Sequence, residues 1–99
     1  MPELLPVEAV DAALADDLGD WARDDDTIVR EVTAKTFAGG IKLVDEVAVI
    51  ADRMDHHPDI DIRWTTIRFA LSTHSAGGLT SNDLELARKI QTLVSAGLS

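Results

Sequence analysis

Residues 59–72 read DIDIRWTTIRFALS, and two periods of alternation run through them. Ile60, Ile62 and Trp64 alternate with Asp61, Arg63 and Thr65, while Ile67, Phe69 and Leu71 alternate with Arg68, Ala70 and Ser72. A period of two puts apolar side chains on one face of an extended strand, and the break near Thr65 and Thr66 predicts a tight hairpin there. One packed face and one polar face belong to an antiparallel sheet rather than to a parallel sheet buried on both sides. Upstream, Phe37 to Met54 changes to helical spacing, with Ile41, Val44, Val47, Ala48 and Ala51 as its apolar stripe. Gly39 and Gly40 weaken its start, and it must end before Pro58, because residues preceding a proline avoid the helical region.

Thr27 to Lys35 is rich in β-branched residues and follows a short segment opened by Trp21 and ended by Asp24, Asp25 and Asp26, which predicts another hairpin around a solvated turn. Before it, Val7, Val10, Leu14 and Leu18 recur at helical spacing between Pro6 and Gly19. At the other end, Leu79 and Leu84 flank a Thr80 N-cap as a hydrophobic staple, opening a helix through Leu86, Ile90, Leu93 and Val94 to Gly97. The order is helix-hairpin-helix-hairpin-helix. Three helices packed on one face of a four-stranded antiparallel sheet bury every apolar stripe, which places the chain in the α+β class.

Ninety-nine residues make one domain, spanning 1–99, with a thin core that association would reinforce. Hydrophobic residues at 45% and charged residues at 27% exclude a disordered chain and a membrane protein. The absence of cysteine excludes disulfide frameworks, thiolate metal sites and cysteine nucleophiles. Nine Lys and Arg against eighteen Asp and Glu give a net charge of −9, a field that repels nucleic acid. The amino terminus, MPELLPVEAV, has neither a basic n-region nor a long apolar stretch, so a cytoplasmic protein is expected.

The three histidines fall within a short stretch: His56 and His57 where the second helix meets the third strand, and His74 at the end of the fourth strand. The hairpin folds residue 74 back toward the start of the third strand, so all three can share one end of the sheet. Asp52, Asp55, Asp59 and Asp83 are near in sequence or brought near by the fold, and carboxylates orient imidazoles and favour their protonated form. Such imidazoles can donate and accept protons near neutral pH. Plainer roles compete with this one. A histidine at a helix end is often a cap, and Asp83 stands at the third helical position after Thr80, where an acid stabilises a helix start without any catalytic duty. Zinc would need an all-His or His-carboxylate site, without a helical ligand pair at the usual spacing. Trp64 alternates with core residues and reads as structural, whereas Trp21 reads either as core or as a stacking surface. Gly77 and Gly78 match no phosphate-loop pattern.

Asp52, then three residues, His56-His57-Pro58, five residues, Trp64, nine residues, His74, eight residues and Asp83 form a pattern that resembles the signature of the pterin-4a-carbinolamine dehydratases. The likeness extends more loosely to Trp21 with the hairpin behind it, to Phe37, to the Leu-Ser-Thr-His run at 71–74 and to Leu79 with the last helix. It departs at Asp24, Asp25 and Asp26, where relatives often carry a glycine-bearing turn. The resemblance implies the same helix-hairpin-helix-hairpin-helix fold. It also implies dehydration of a 4a-hydroxytetrahydropterin to the quinonoid dihydropterin, the step that recycles tetrahydrobiopterin-type cofactors after an aromatic amino acid hydroxylase. It implies no metal and no organic cofactor, a small-molecule pterin as substrate, and a homodimer or homotetramer. By the same resemblance His56 and His74 are the general acid and base, and His57 belongs to the catalytic trio but mainly binds the pterin. Pro58, Thr73, Ser75 and Ala76, with Trp21, line the pocket, and Asp55 and Asp83 orient the imidazoles. The alternative is a non-catalytic binding or interaction protein on the same fold.

Overall fold

The computed structural model describes residues 3–97; of the single domain expected over 1–99, residues 1, 2, 98 and 99 lie outside that range. The elements are α1 (Val7–Asp16), β1 (Ala22–Asp24), β2 (Thr27–Thr33), α2 (Phe37–Met54), β3 (Asp59–Arg63), β4 (Thr66–Leu71) and α3 (Ser81–Ser95), with a 3₁₀ turn at His74–Ala76. The four strands form one antiparallel sheet in the order β1-β2-β4-β3. The fold class and the element order are those expected from the sequence.

Register shows how the core forms. Ile28 pairs with Leu71, Arg30 with Phe69 and Val32 with Ile67, so one face of the central strands is almost continuously apolar. Val10 of α1, Leu43 and Val47 of α2, and Leu84, Leu86 and Ile90 of α3 join that face in a single buried cluster. The expected staple residues Leu79 and Leu84 are both buried within it. Arg30 is the polar exception on this face; its guanidinium is held by Asp20 at 2.8 Å and Gln91 at 3.0 Å. At the surface, Arg88 of α3 binds Asp17 at the end of α1 at 2.7 Å. That hydrogen bond holds the Asp17 carboxyl below its usual range, so its small, salt-screened contribution is present at neutral pH and fades as pH falls.

Two expectations about the stripes are corrected. In α2 the buried positions are Gly40, Leu43, Val47 and Ala51, whereas Ile41 and Val44 are half-buried and Ala48 is exposed. The helix carries a broad apolar arc, and its contact with the sheet selects the edge that includes Gly40. A Cβ at Gly40 would stand 3.2 Å from Ile67 Cδ1 and 3.4 Å from the Ala34 Cβ, so the missing side chain is what lets the helix lie this close. Gly40→Val is expected to destabilise the fold by about 1–3 kcal/mol through overpacking, read as a lower urea midpoint; an unchanged midpoint would show that the helix can shift freely.

The other correction is Trp64. Arg63 pairs with Thr66, so the chain reverses at Trp64 and Thr65, one residue earlier than the alternation suggests. Trp64 is therefore turned out of the core, 78% exposed and at φ 50°. In the first hairpin Asp25 takes the left-handed position, φ 53°, where glycine is the usual residue. Ser72 ties that turn to the end of β4 by donating its hydroxyl to the Asp26 carbonyl at 2.7 Å.

Candidate active site

The way α2 ends decides where the two adjacent histidines point. The Asp55 N–H donates to the Asp52 carbonyl at 3.2 Å and the His56 N–H to that of Ala51 at 3.0 Å, the two bonds of a Schellman closure. Asp55 occupies its left-handed position at φ 50°. The reversal sends His56 inward, 8% exposed, and leaves His57 outside. His57 Nε2 meets Asp52 Oδ1 at 2.9 Å on the surface, where both side chains are more than half exposed. Asp55, expected to orient an imidazole, is exposed and makes no hydrogen bond to either histidine; its contribution is the backbone turn.

His56 Nε2 lies 2.6 Å from Asp83 Oδ1, across from the first turn of α3. Asp83 is 0% exposed. Its other oxygen, Oδ2, accepts from the Thr80 N–H at 2.9 Å and from the Thr73 hydroxyl at 2.7 Å. Thr80 and Asp83 together complete a capping box. The two roles weighed for Asp83 are both filled, one by each carboxylate oxygen. Thr73 Oγ1 is also 2.8 Å from Thr80 Oγ1, so its hydroxyl is committed inside the protein and cannot face a ligand.

Thr73 leads directly into the 3₁₀ turn, where His74 and Ser75 are exposed and Ala76 is half-buried. His74 makes no side-chain hydrogen bond among the described residues, so both of its ring nitrogens are available. His56 and His74 are linked through two hydrogen bonds and one peptide unit: His56 to Asp83, Asp83 to Thr73, and Thr73 to its neighbour. Pro58 is half-buried behind His57. Trp21, read as core or as a stacking surface, proves to be core: it is 4% exposed and its Nε1 has no partner among the described residues, so its ring is not offered to a ligand. Among the described residues no three His, Asp or Glu side chains group closely enough to hold a metal ion. The family resemblance implies Thr73 in the pocket wall, and Thr80 enters the sequence reading only as a cap; their shared contact with Asp83 reveals what their hydroxyls do.

A concave groove of about 150 Å³ lies behind this loop, lined by Leu4, Val7, Asp26, Gly78 and Leu79 among others, and it does not include the histidines. The histidines lie outside this groove: His56 is backed by the buried Asp83 carboxylate, and the exposed His74 is joined to it through Asp83 and Thr73. Fold and site together define a small α+β domain that carries a carboxylate-backed imidazole and a second, exposed imidazole, groups of the kind that donate and accept protons near neutral pH.

Known proteins agree with that class. The profile of the family described as pterin 4 alpha carbinolamine dehydratase matches residues 3–93. A candidate pterin-4-alpha-carbinolamine dehydratase of Nocardia farcinica is 57% identical over 91 residues, covering 92% of this chain and 95% of its own. One of Mycobacterium avium is 50% identical over 91 residues, covering 92% and 96%. The crystal structure of a transcriptional coactivator/pterin dehydratase from Brucella melitensis superimposes with a TM-score of 0.83 at 28% identity, over 90% of this chain and 96% of that one. A pterin dehydratase-like protein identified as a RuBisCO assembly factor in the alpha-carboxysome shares the fold, with a TM-score of 0.60 at 15% identity. The chain belongs to the pterin-4-alpha-carbinolamine dehydratase family, a family of hydro-lyases.

Proposed function

We propose that this protein dehydrates a 4a-hydroxytetrahydropterin to the quinonoid dihydropterin and water, in pterin cofactor recycling, by histidine general acid/base catalysis. The observation that carries the reading is the buried His56–Asp83 pair at 2.6 Å, joined through Thr73 to the exposed His74 in a chain that the family profile matches over 3–93. The reaction breaks the C4a–O bond and forms a C4a=N5 double bond. An acid protonates the departing hydroxyl, which leaves as water; the N5 electrons expel it, and a base removes the N5 proton. His56 and His74 take these two roles. His57, steadied by Asp52, binds the pterin with Pro58, and the turn through Ser75 and Ala76 lines the pocket with backbone groups for the flat ring.

The test is the dehydration rate of 4a-hydroxytetrahydropterin, generated in place by an aromatic amino acid hydroxylase and followed by absorbance. Acceleration over buffer by the folded protein supports the enzyme; none would turn the reading to a binding protein on this fold. We place this activity in the cytoplasm, which fractionation of the source cells tests.

The same reading includes a homodimer or homotetramer. Its support is the uncovered part of the α2 arc: Phe37, Ile41, Val44 and Ala48 recur at spacings of four, three and four, and Phe37 is 52% exposed. Phe37→Glu is expected to reduce the sedimentation-equilibrium mass by at least half, and a wild-type protein already monomeric at micromolar concentration refutes this part.

A further inference from the structure

Thr73, Thr80 and Asp83 are all buried, yet the capping of α3 uses only part of what they offer. A capping box needs one carboxylate oxygen at the Thr80 N–H, and the structure provides that bond at 2.9 Å. It needs neither the Thr73 hydroxyl on the same oxygen nor an imidazole on the other. Those two additional contacts have a directional consequence. Asp83 meets three groups, and two of them are donors into Oδ2: the Thr80 N–H and the Thr73 hydroxyl. With its proton given to Asp83, Thr73 must accept from the Thr80 hydroxyl, and Thr80 Oγ1 in turn accepts from the Asn82 N–H at 3.3 Å. Every donor in the chain points toward the carboxylate, the pattern of an ionised, acceptor-only group. The same two bonds aim its remaining oxygen at His56 Nε2, 2.6 Å away, where it accepts a donated proton.

We propose that Thr73, with Thr80 behind it, is a positioning residue for the reaction: its hydroxyl holds Asp83 as an oriented acceptor and so keeps the proton of neutral His56 on Nε2. Among the described residues His56 Nδ1 has no hydrogen-bond partner and is not fully buried, so this tautomer leaves it as a solvent-accessible proton acceptor. His56 is thereby the base and His74 the acid, an assignment that rests on the dehydratase reading above. Thr73 also serves His74. Its backbone N–H donates to the Gly78 carbonyl at 2.9 Å, and its carbonyl accepts from the N–H groups of Ala76 and Gly77, both at 3.0 Å. One residue thus holds His56 through its hydroxyl and the His74 turn through its backbone. A valine at this position has nearly the same shape and suits the extended backbone, φ −102° and ψ 94°, so it removes the hydroxyl alone.

The experiment compares wild type, Thr73→Val and Thr73→Ser by long-range ¹H–¹⁵N correlation of the imidazoles, at a pH where they are neutral, and by steady-state dehydration of the hydroxylase-generated substrate. Wild-type His56 should show its proton on Nε2. Thr73→Val should show a mixture of tautomers and a kcat lower by about tenfold or more with KM within threefold, and Thr73→Ser should restore both. Wild-type His56 protonated on Nδ1, or a folded Thr73→Val protein in which either the tautomer or kcat is unchanged, overturns the proposal. Should Thr73→Val fail to fold, Thr80→Val removes the next hydroxyl in the chain, and it must shift the tautomer in the same direction. The spectra need no turnover, so a wild type without activity would refute the dehydratase reading while the tautomer still decides this one.

Discussion

Asp83→Asn is expected to fold and to lose nearly all turnover. An amide has one acceptor and one donor end where the carboxylate had two acceptors. The Thr80 backbone N–H, 2.9 Å from Oδ2, cannot reverse its polarity, so the amide oxygen must take that side. The NH₂ then faces His56 Nε2, which has to become an acceptor and move its proton to Nδ1. The site would retain its imidazole in the wrong tautomer. The comparable change in the triad of a serine protease costs about 10⁴ in kcat for the same reason, and a loss of about 10³–10⁴ is expected here. Stability should fall modestly, by about 1–2 kcal/mol, because a charge-assisted bond becomes a neutral one. Asp83→Ala should lose about 3 kcal/mol or more, since it removes the helix cap and leaves the Thr73 hydroxyl, the Thr80 N–H and His56 buried without their partner. Urea titrations beside turnover assays separate the two variants, and a kcat for Asp83→Asn within tenfold of wild type would show that His56 does not work through this carboxylate.

His74→Ala should give the opposite partition. The side chain is exposed and makes no hydrogen bond among the described residues, so its removal is expected to change stability by no more than about 0.5 kcal/mol. Turnover should drop by about 10²–10⁴, the usual worth of one positioned acid or base. His57→Ala, which loses only a surface contact with Asp52, should act chiefly on KM. A His74→Ala protein with wild-type kcat would move the acid role to another group.

These expectations rest on features of unequal visibility. The paired alternation around residues 60–71 announces the second hairpin because side-chain period depends only on local backbone geometry. For the same reason the bounds of α2, Phe37 and Met54, and the Thr80 cap could be read directly. The motif of the candidate site was equally open to reading: His56-His57-Pro58, His74 and Asp83 stand at the spacing on which the family resemblance rests, whatever the fold does with them.

Local periodicity could not choose among partners. The apolar arc of α2 is broader than its contact with the sheet, so only packing against Ala34 and Ile67 selects the stripe through Gly40 and leaves Ala48 exposed. Trp64 continues a perfect alternation, yet the register of β3 against β4 reverses the chain at that residue and turns its ring to solvent. Trp21 had two readings until packing placed it in the core cluster. Adjacent histidines look alike in a sequence, and the left-handed turn at Asp55 gives one to the interior and the other to water. Local composition and spacing dictate which elements form and which residues are candidates for the chemistry, since both are read from neighbours along the chain. The linkage of Asp83 to His56 and Thr73 depends on groups 27 and 10 residues away, and such contacts exist only once the sheet and α3 have closed around them.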